Sequence, residues 1–497
     1  MSQIGLANNR ATLRSPRTCA TALSKLYRNR LNLVSTRLSL ENNEPNCSCY
    51  AMSSARRLRP ALGGYLLVAA FLALLTLADN MVANTLPITL DSASAQIPGF
   101  WNLLTANLVI STISDLISQL VLISLIYHYS LGYAMHINSF SILIASIYSL
   151  NSLFWRTDGL AWTSVIAPVF KIIGGGSHAT TFLTIMLIRE NISGSLRAAF
   201  IYITGAVIVL CQTIASEVTP FLARKSPTLP YIFSIACCIL ASVLAIVYNT
   251  TESLVSDQEC SNDRSTEPLL SHIAASRDNY LVPLFGFKET YSQIWRDMQP
   301  ITRKALKSLG FIFFVAAIAK ATRPLFINYI QHRVGVTPEL ASYLWAVRTV
   351  MSLAIFAVIL PLAVILLNKY TSLVSSTITL YTAKASIVLL AIGALLIGLA
   401  QSKPVLVSGL VINTLGVATD LGLLAFAADT VPEAIASCFF MAIASLESAG
   451  TLIGIAVLYP LYQLCLYNDT LVGGIPYYFC AGLFTVAGVK AWQIKSL

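Results

Sequence analysis

The chain has 497 residues, of which 56% are hydrophobic and only 11% charged, with a formal net charge of +10 and a mean hydropathy of +0.72. Soluble domains carry about 25% charged residues, so a water-soluble globule of this length is excluded. The basic excess is read as membrane topology rather than nucleic-acid binding, because no basic folded domain is visible.

Residues 1–60 form a polar, Arg-rich tail with no acid before Glu41. No apolar core follows its first charges, which excludes a secretory signal. The tail is expected to be a disordered cytosolic extension. It also looks like a mitochondrial presequence, and a true start at Met52 is a further alternative. Cys47 and Cys49 lack a second pair or a neighbouring histidine, so neither a zinc site nor a disulfide framework is expected.

Six apolar segments follow, at 61–79, 103–127, 135–155, 162–188, 197–221 and 230–249. A hydrophilic linker, 250–307, separates them from six more at 308–331, 340–365, 373–400, 404–428, 435–459 and 475–492, before a short tail, 493–497. Runs of this length cross about 30 Å of hydrocarbon as helices, since lipid leaves no partner for unpaired backbone groups. The continuous apolar runs argue against barrel strands, which alternate. The fold expected is an all-α membrane protein of twelve helices in two six-helix bundles, 61–249 and 308–492.

Charge placement gives an orientation. With both termini and the linker in the cytosol, the inside segments hold 22 Lys and Arg and the outside loops five. Arg56, Arg57 and Arg59 directly precede the first segment and fix its start inside. Within the linker, SDQECSNDRSTEPLLS reads as disordered. SQIWRDMQPITRKALK is expected to be an amphipathic helix on the inner leaflet, with Arg303, Lys304 and Lys307 toward anionic headgroups. On this orientation, the sequons at Asn46, Asn191 and Asn249 face the cytosol, and Asn468 is the candidate glycosylation site.

An internal repeat appears at an offset of 240 residues: 176–200 aligns with 416–440, placing Gly176 on Gly416, Ala179 on Thr419, Leu183 on Leu423 and Phe200 on Phe440. Three stretches then carry a resemblance: FKIIGGG (170–176) with the charged turn at Arg197 and Phe200; residues 327–362, with Arg348 in the eighth segment; and residues 426–454. Over residues 61–492 the chain resembles the major facilitator superfamily, and more narrowly a fungal branch of uncharacterised or secondary-metabolite-associated members. It departs from that family in the second–third loop, where Tyr129 and Ser130 stand in place of an expected Asp and Arg, although Gly132 is kept. The resemblance implies that the first, fourth, seventh and tenth helices line a central cavity.

Ionisable residues inside the apolar segments are functional candidates by default, because each is costly in lipid. They are Asp115, Lys171, Glu217, Lys320, Arg323, Arg348, Lys384, Asp420 and Glu447. On the family's pattern Lys171, Lys320, Arg323 and Asp420 face the cavity, and three cations against one carboxylate imply an anionic or carboxylate-bearing solute. Two readings stay open for Asp420: a cavity group, or a structural partner for a cation on a neighbouring helix. Glu447 and Asp420 are the candidate proton carriers, and Glu447 is expected to pair with Arg348. The Gly174–Gly176 run is read as close helix packing, since no Lys-Ser/Thr follows it as in a phosphate loop.

The function expected is proton-coupled transport of a small organic solute, with efflux of a metabolite as the leading direction, without catalysis, metal or cofactor, by a monomer in the plasma membrane or an internal one. Uptake, and a transport-inactive receptor or scaffold, are the alternatives. A membrane-embedded enzyme is disfavoured: only five His are present, and His128 and His136 are the sole close pair.

Overall fold

The computed structural model describes residues 63–85, 100–128, 131–154, 165–192, 196–262, 292, 296, 300–371, 374–466 and 471–494. The expectations for the 1–60 tail, for Tyr129 and Ser130, and for the glycosylation candidate Asn468 lie outside them. The first half comprises α1 (Gly63–Thr85), α2 (Phe100–His128), α3 (Leu131–Phe154), α4 (Ser177–Asn191), α5 (Leu196–Lys225) and α6 (Leu229–Asn262). The second comprises α7 (Pro300–Lys320), α8 (Phe326–Val334), α9 (Pro338–Ala354), α10 (Leu360–Tyr370), α11 (Ser375–Leu399), α12 (Lys403–Leu415), α13 (Thr419–Thr430), α14 (Glu433–Leu466) and α15 (Ile475–Trp492).

Among the described residues, nine helical stretches are long and apolar enough on their own to cross a membrane. The fourth, seventh and twelfth segments are not among them. The fourth is interrupted, the seventh carries Lys304, Lys307 and Lys320, and the twelfth carries Pro476, Tyr477, Tyr478 and Lys490.

Three segments break in mid-course. The fourth enters as a 3-10 turn, Ala167–Ile172, and restarts as α4 with Gly176 as its N-cap. The seventh breaks after Lys320, through the 3-10 turn Arg323–Leu325. The tenth breaks at the 3-10 turn Gly416–Ala418. The repeat therefore lands on structure: Gly176 and Gly416 occupy the corresponding breaks of the fourth and tenth segments.

A break in lipid is tolerated only where other groups satisfy the freed backbone. Around the first break α3 does so. In the amide orientation that suits its neighbours, Asn138 donates to the Gly174 carbonyl at 3.0 Å and the Gly175 carbonyl at 3.2 Å, and accepts from Thr180 Oγ1 at 2.7 Å. Ser141 Oγ also donates to the Gly175 carbonyl, at 2.9 Å. At the second break, the Ala319 carbonyl accepts from Thr322 Oγ1 at 2.9 Å and from Cys480 Sγ of α15 at 3.4 Å.

The glycines make the first break possible. Gly175 has φ +87°, a conformation open to glycine. A Cβ on Gly174 would lie 2.3 Å from the Ile137 carbonyl oxygen, so the backbones touch here. Gly174→Val is therefore expected to cost at or above the ~3 kcal/mol top of the usual overpacking range, read as loss of the monodisperse peak in detergent gel filtration.

Several boundaries differ from the sequence reading. α1 runs to Thr85, six residues past the expected end. α6 continues as helix to Asn262, into the expected linker. The amphipathic helix expected to lie on the leaflet is corrected over its last part: Pro300–Lys307 is the start of α7 itself, in one continuous helix. Its apolar positions cannot pack separately once they extend α7's own stripe.

Candidate functional site

The breaks expose helix ends inside the bundle, and the charges sit on them. Lys320 is the last residue of α7 and Asp420 lies in the first turn of α13. A cation at a helix C-terminus and an anion at an N-terminus both oppose the local dipole favourably. The two side chains form an ion pair, with 12% and 24% of their surface exposed. In the first half, Lys171, on the 3-10 turn before α4, pairs with Asp79 of α1, with 11% and 9% exposed. The first–fourth and seventh–tenth segments thus carry equivalent ion pairs with the signs exchanged. The structural-partner reading of Asp420 matches this geometry.

Each pair has a second carboxylate beside it. Asp115 of α2 lies within electrostatic reach of Lys171 and Asp79, and its Oδ1 is buried without a hydrogen-bond partner. Gly176 brings the three together: a Cβ there would lie 3.0 Å from Asp115 Oδ1, 3.3 Å from Lys171 Cδ and 3.5 Å from Asp79 Oδ2. In the second half, Glu447 of α14 lies within reach of Asp420, Lys320 and Arg323. His178, in the first turn of α4, is within reach of both Asp115 and Glu447, and so stands between the two groups.

The expected Arg348–Glu447 pair is corrected. Arg348 lies over the Trp345 ring at 4.8 Å, with Arg323 and Tyr477 as its charged and polar neighbours. The i,i+3 stacking on its own helix holds the guanidinium away from α14. The salt bridges among the described residues are Lys171–Asp79, Arg197–Asp429 and Lys320–Asp420, so Arg323 and Arg348 form none. The supposed excess of three cations over one carboxylate is also corrected. On the first, fourth, seventh and tenth segments Asp79 joins Asp420, so three cations face two carboxylates rather than one.

Two other sequence candidates lie elsewhere. Glu217 is exposed near the far end of α5. Lys384 is a structural anchor: its Nζ donates to the Ile494 carbonyl just past the end of α15, at 2.9 Å, between the Tyr381 and Trp492 rings.

Contacts between the halves close one end of the bundle. Arg189, at the end of α4, donates to the Ala428 carbonyl at 3.0 Å and to the Val431 carbonyl. Arg197, at the start of α5, donates to the Ala428 carbonyl and to Asp429 Oδ1, both at 3.1 Å. Nearer the middle, Gln119 of α2 donates to Ser448 of α14 at 3.0 Å.

Sequence reasoning missed Asp79, His178 and Asp429. Asp79 coincides with the expected end of the first segment, although MVANTL continues the apolar run beyond it. His178 follows the Gly run that marks the break, which was the available signal.

No family profile matches the sequence, and none of the curated proteins matches it. Solved structures do. The proton:xylose symporter XylE of E. coli is 15% identical, with a TM-score of 0.65 over 88% of this chain and 96% of that one. The human organic anion transporter MFSD10 is 13% identical, with a TM-score of 0.63 over 87% and 99%. The E. coli fucose:proton symporter FucP is 12% identical, with a TM-score of 0.57 over 88% and 100%. Each of these three proteins is a transporter of a small solute. Helix order, the paired halves and these superpositions agree: the chain is a multi-pass membrane protein with the twelve-helix, two-bundle major facilitator fold.

Proposed function

We propose that this chain is a proton-coupled secondary transporter of a small organic solute. One observation carries the reading: a charged path of Asp79, Lys171, Asp115, His178, Glu447, Asp420 and Lys320 that is supplied by both halves and meets at His178 between them. Ionisable groups at this depth are costly and serve solute and proton pathways. Carboxylates beside buried cations can hold or release a proton as a solute or a moving helix changes their surroundings. On this reading Asp79 and Asp115 hold the coupling proton in the first half, with Glu447 and Asp420 as the equivalent pair in the second.

The solute would meet Arg323 and Arg348 at the break after α7. Two neighbouring guanidiniums outside the salt bridges suit a carboxylate or other anionic group on the solute, the planar fork matching it bidentately. The balance of charge around them suits an otherwise polar, uncharged body.

The Arg and Lys distribution supports a cytosolic face at the end closed by Arg189 and Arg197, with the 1–60 tail and the 250–307 linker on that side. Efflux of a metabolite across the plasma membrane, by a monomer, is the direction proposed, with uptake as its alternative. The fungal secondary-metabolite resemblance supports export, whereas the solved structures support the fold alone.

Proteoliposomes with an imposed pH gradient test this. A panel of small organic acids should include one whose movement follows the gradient and collapses with a protonophore. Gradient-independent binding of every ligand found, with no movement, would favour the receptor reading instead.

A further inference from the structure

We infer that the groove between the start of α7 and the end of α15 is a binding site for a phospholipid with an anionic phosphate headgroup. The open groove offers about 620 Å³ and is lined by Lys304, Lys307, Ser308 and Phe311 of α7 and by Thr485, Val486, Val489 and Lys490 of α15. Its volume falls within the about 300–1,000 Å³ of small-ligand sites.

The two walls are sorted along their length. On α7, positions 304, 307–308 and 311 share one helix face, and on α15 positions 485–486 and 489–490 do. α7 begins and α15 ends at the same mouth of the groove, so Lys304, Lys307 and Lys490 gather there. Phe311 and Val486 continue the groove away from them, exposed at 42% and 49%, and Val489, 59% exposed, lies beside Lys490. Polar mouth and apolar trough match a headgroup and an acyl chain.

Charge complementarity names the headgroup. Neither α7 nor α15 contains an Asp or Glu, so no carboxylate on either wall offsets the three ammonium groups. One of them, Lys490, also donates to Gln493 Oε1 at 3.1 Å, a neutral partner. Cations clustered this way repel unless an anion lies between them. Trp492, 60% exposed two residues beyond Lys490, marks the same level as the membrane–water interface, where phosphates of the leaflet lie. Each such lysine near an anionic leaflet gains affinity for it, and the groove adds chain contact that a flat surface lacks. The inference rests on the membrane fold and is independent of what is transported.

The test uses the full chain, delipidated in detergent and examined by native mass spectrometry. It is offered equal phosphatidylglycerol and phosphatidylcholine of identical acyl chains. One phosphatidylglycerol should be retained about tenfold over phosphatidylcholine, corresponding to about 1.4 kcal/mol. The K304Q/K307Q/K490Q variant should lose that preference, and K304R/K307R/K490R should keep it. Equal preference in wild type and the Gln variant overturns the site, as does a wild type with no preference. Inorganic phosphate that displaces the lipid, or is retained equally, makes this a free-anion site and overturns the lipid. If the triple variant fails to fold, Lys307→Gln replaces it with the same criteria.

Discussion

Lys171→Met is expected to destabilise the protein by about 3–5 kcal/mol, the usual cost of removing one partner of a buried ion pair. The pair is 11% and 9% exposed, so solvent screens it little. The loss leaves Asp79 and Asp115 facing each other across Gly176 with no cation of their own group. Asp79→Asn added to Lys171→Met should recover part of the stability, because a neutral amide needs no counter-charge while Asp115 keeps its own charge. Thermal unfolding of the two variants in detergent measures the difference. Transport should behave otherwise: both variants should lose accumulation driven by a pH gradient, and solute exchange at equal pH should continue in the double variant. A structural pair predicts recovery of both properties together. If the double variant both refolds and accumulates solute against the gradient, Asp79 and Lys171 do not carry the proton. The equivalent Lys320–Asp420 pair offers the control, since Asp420 is 24% exposed and screening there is greater.

The sequence shows the architecture because apolar length and helix periodicity are local properties. Twelve segments and the mid-segment glycines follow from them, and Gly176 and Gly416 fall at real breaks. The site was legible in part, for the same reason: Asp115, Lys171, Lys320, Asp420 and Glu447 stand out wherever a charge interrupts an apolar run. Asp79 did not, because a charge close to the end of a run looks like the end itself. Partners were not legible at all. Whether Arg348 meets Glu447 or turns onto Trp345 depends on the rotation of α9 about its axis, which is set by packing against other helices. Arg189 and Arg197 read as topology signals, because a charge count near helix ends says nothing of what lies opposite. Their partners are mostly the Ala428 and Val431 carbonyls, which no side-chain pattern announces.

Those two arginines make the second large prediction. Arg197→Ala removes two bonds across the halves, to the Ala428 carbonyl and Asp429, and Arg189→Ala removes two more. Hydrogen bonds to charged groups contribute about 1.5–3 kcal/mol, less here for partial exposure, since the Arg197 and Asp429 side chains are 18% and 14% exposed. A net loss of about 1–3 kcal/mol shifts a two-state equilibrium by about 5–150-fold toward the state open at this end. Spin labels at Val247 on α6 and Leu367 on α10, both about 40% exposed, report it as a longer distance. Asp429→Asn alone should shift the distribution less than Arg197→Ala, because Arg197 keeps its bond to the Ala428 carbonyl. Combined, the two should fall short of additivity by the energy of their shared contact. If Arg189→Ala/Arg197→Ala leaves the distance distribution unchanged, closure at this end rests on apolar packing instead.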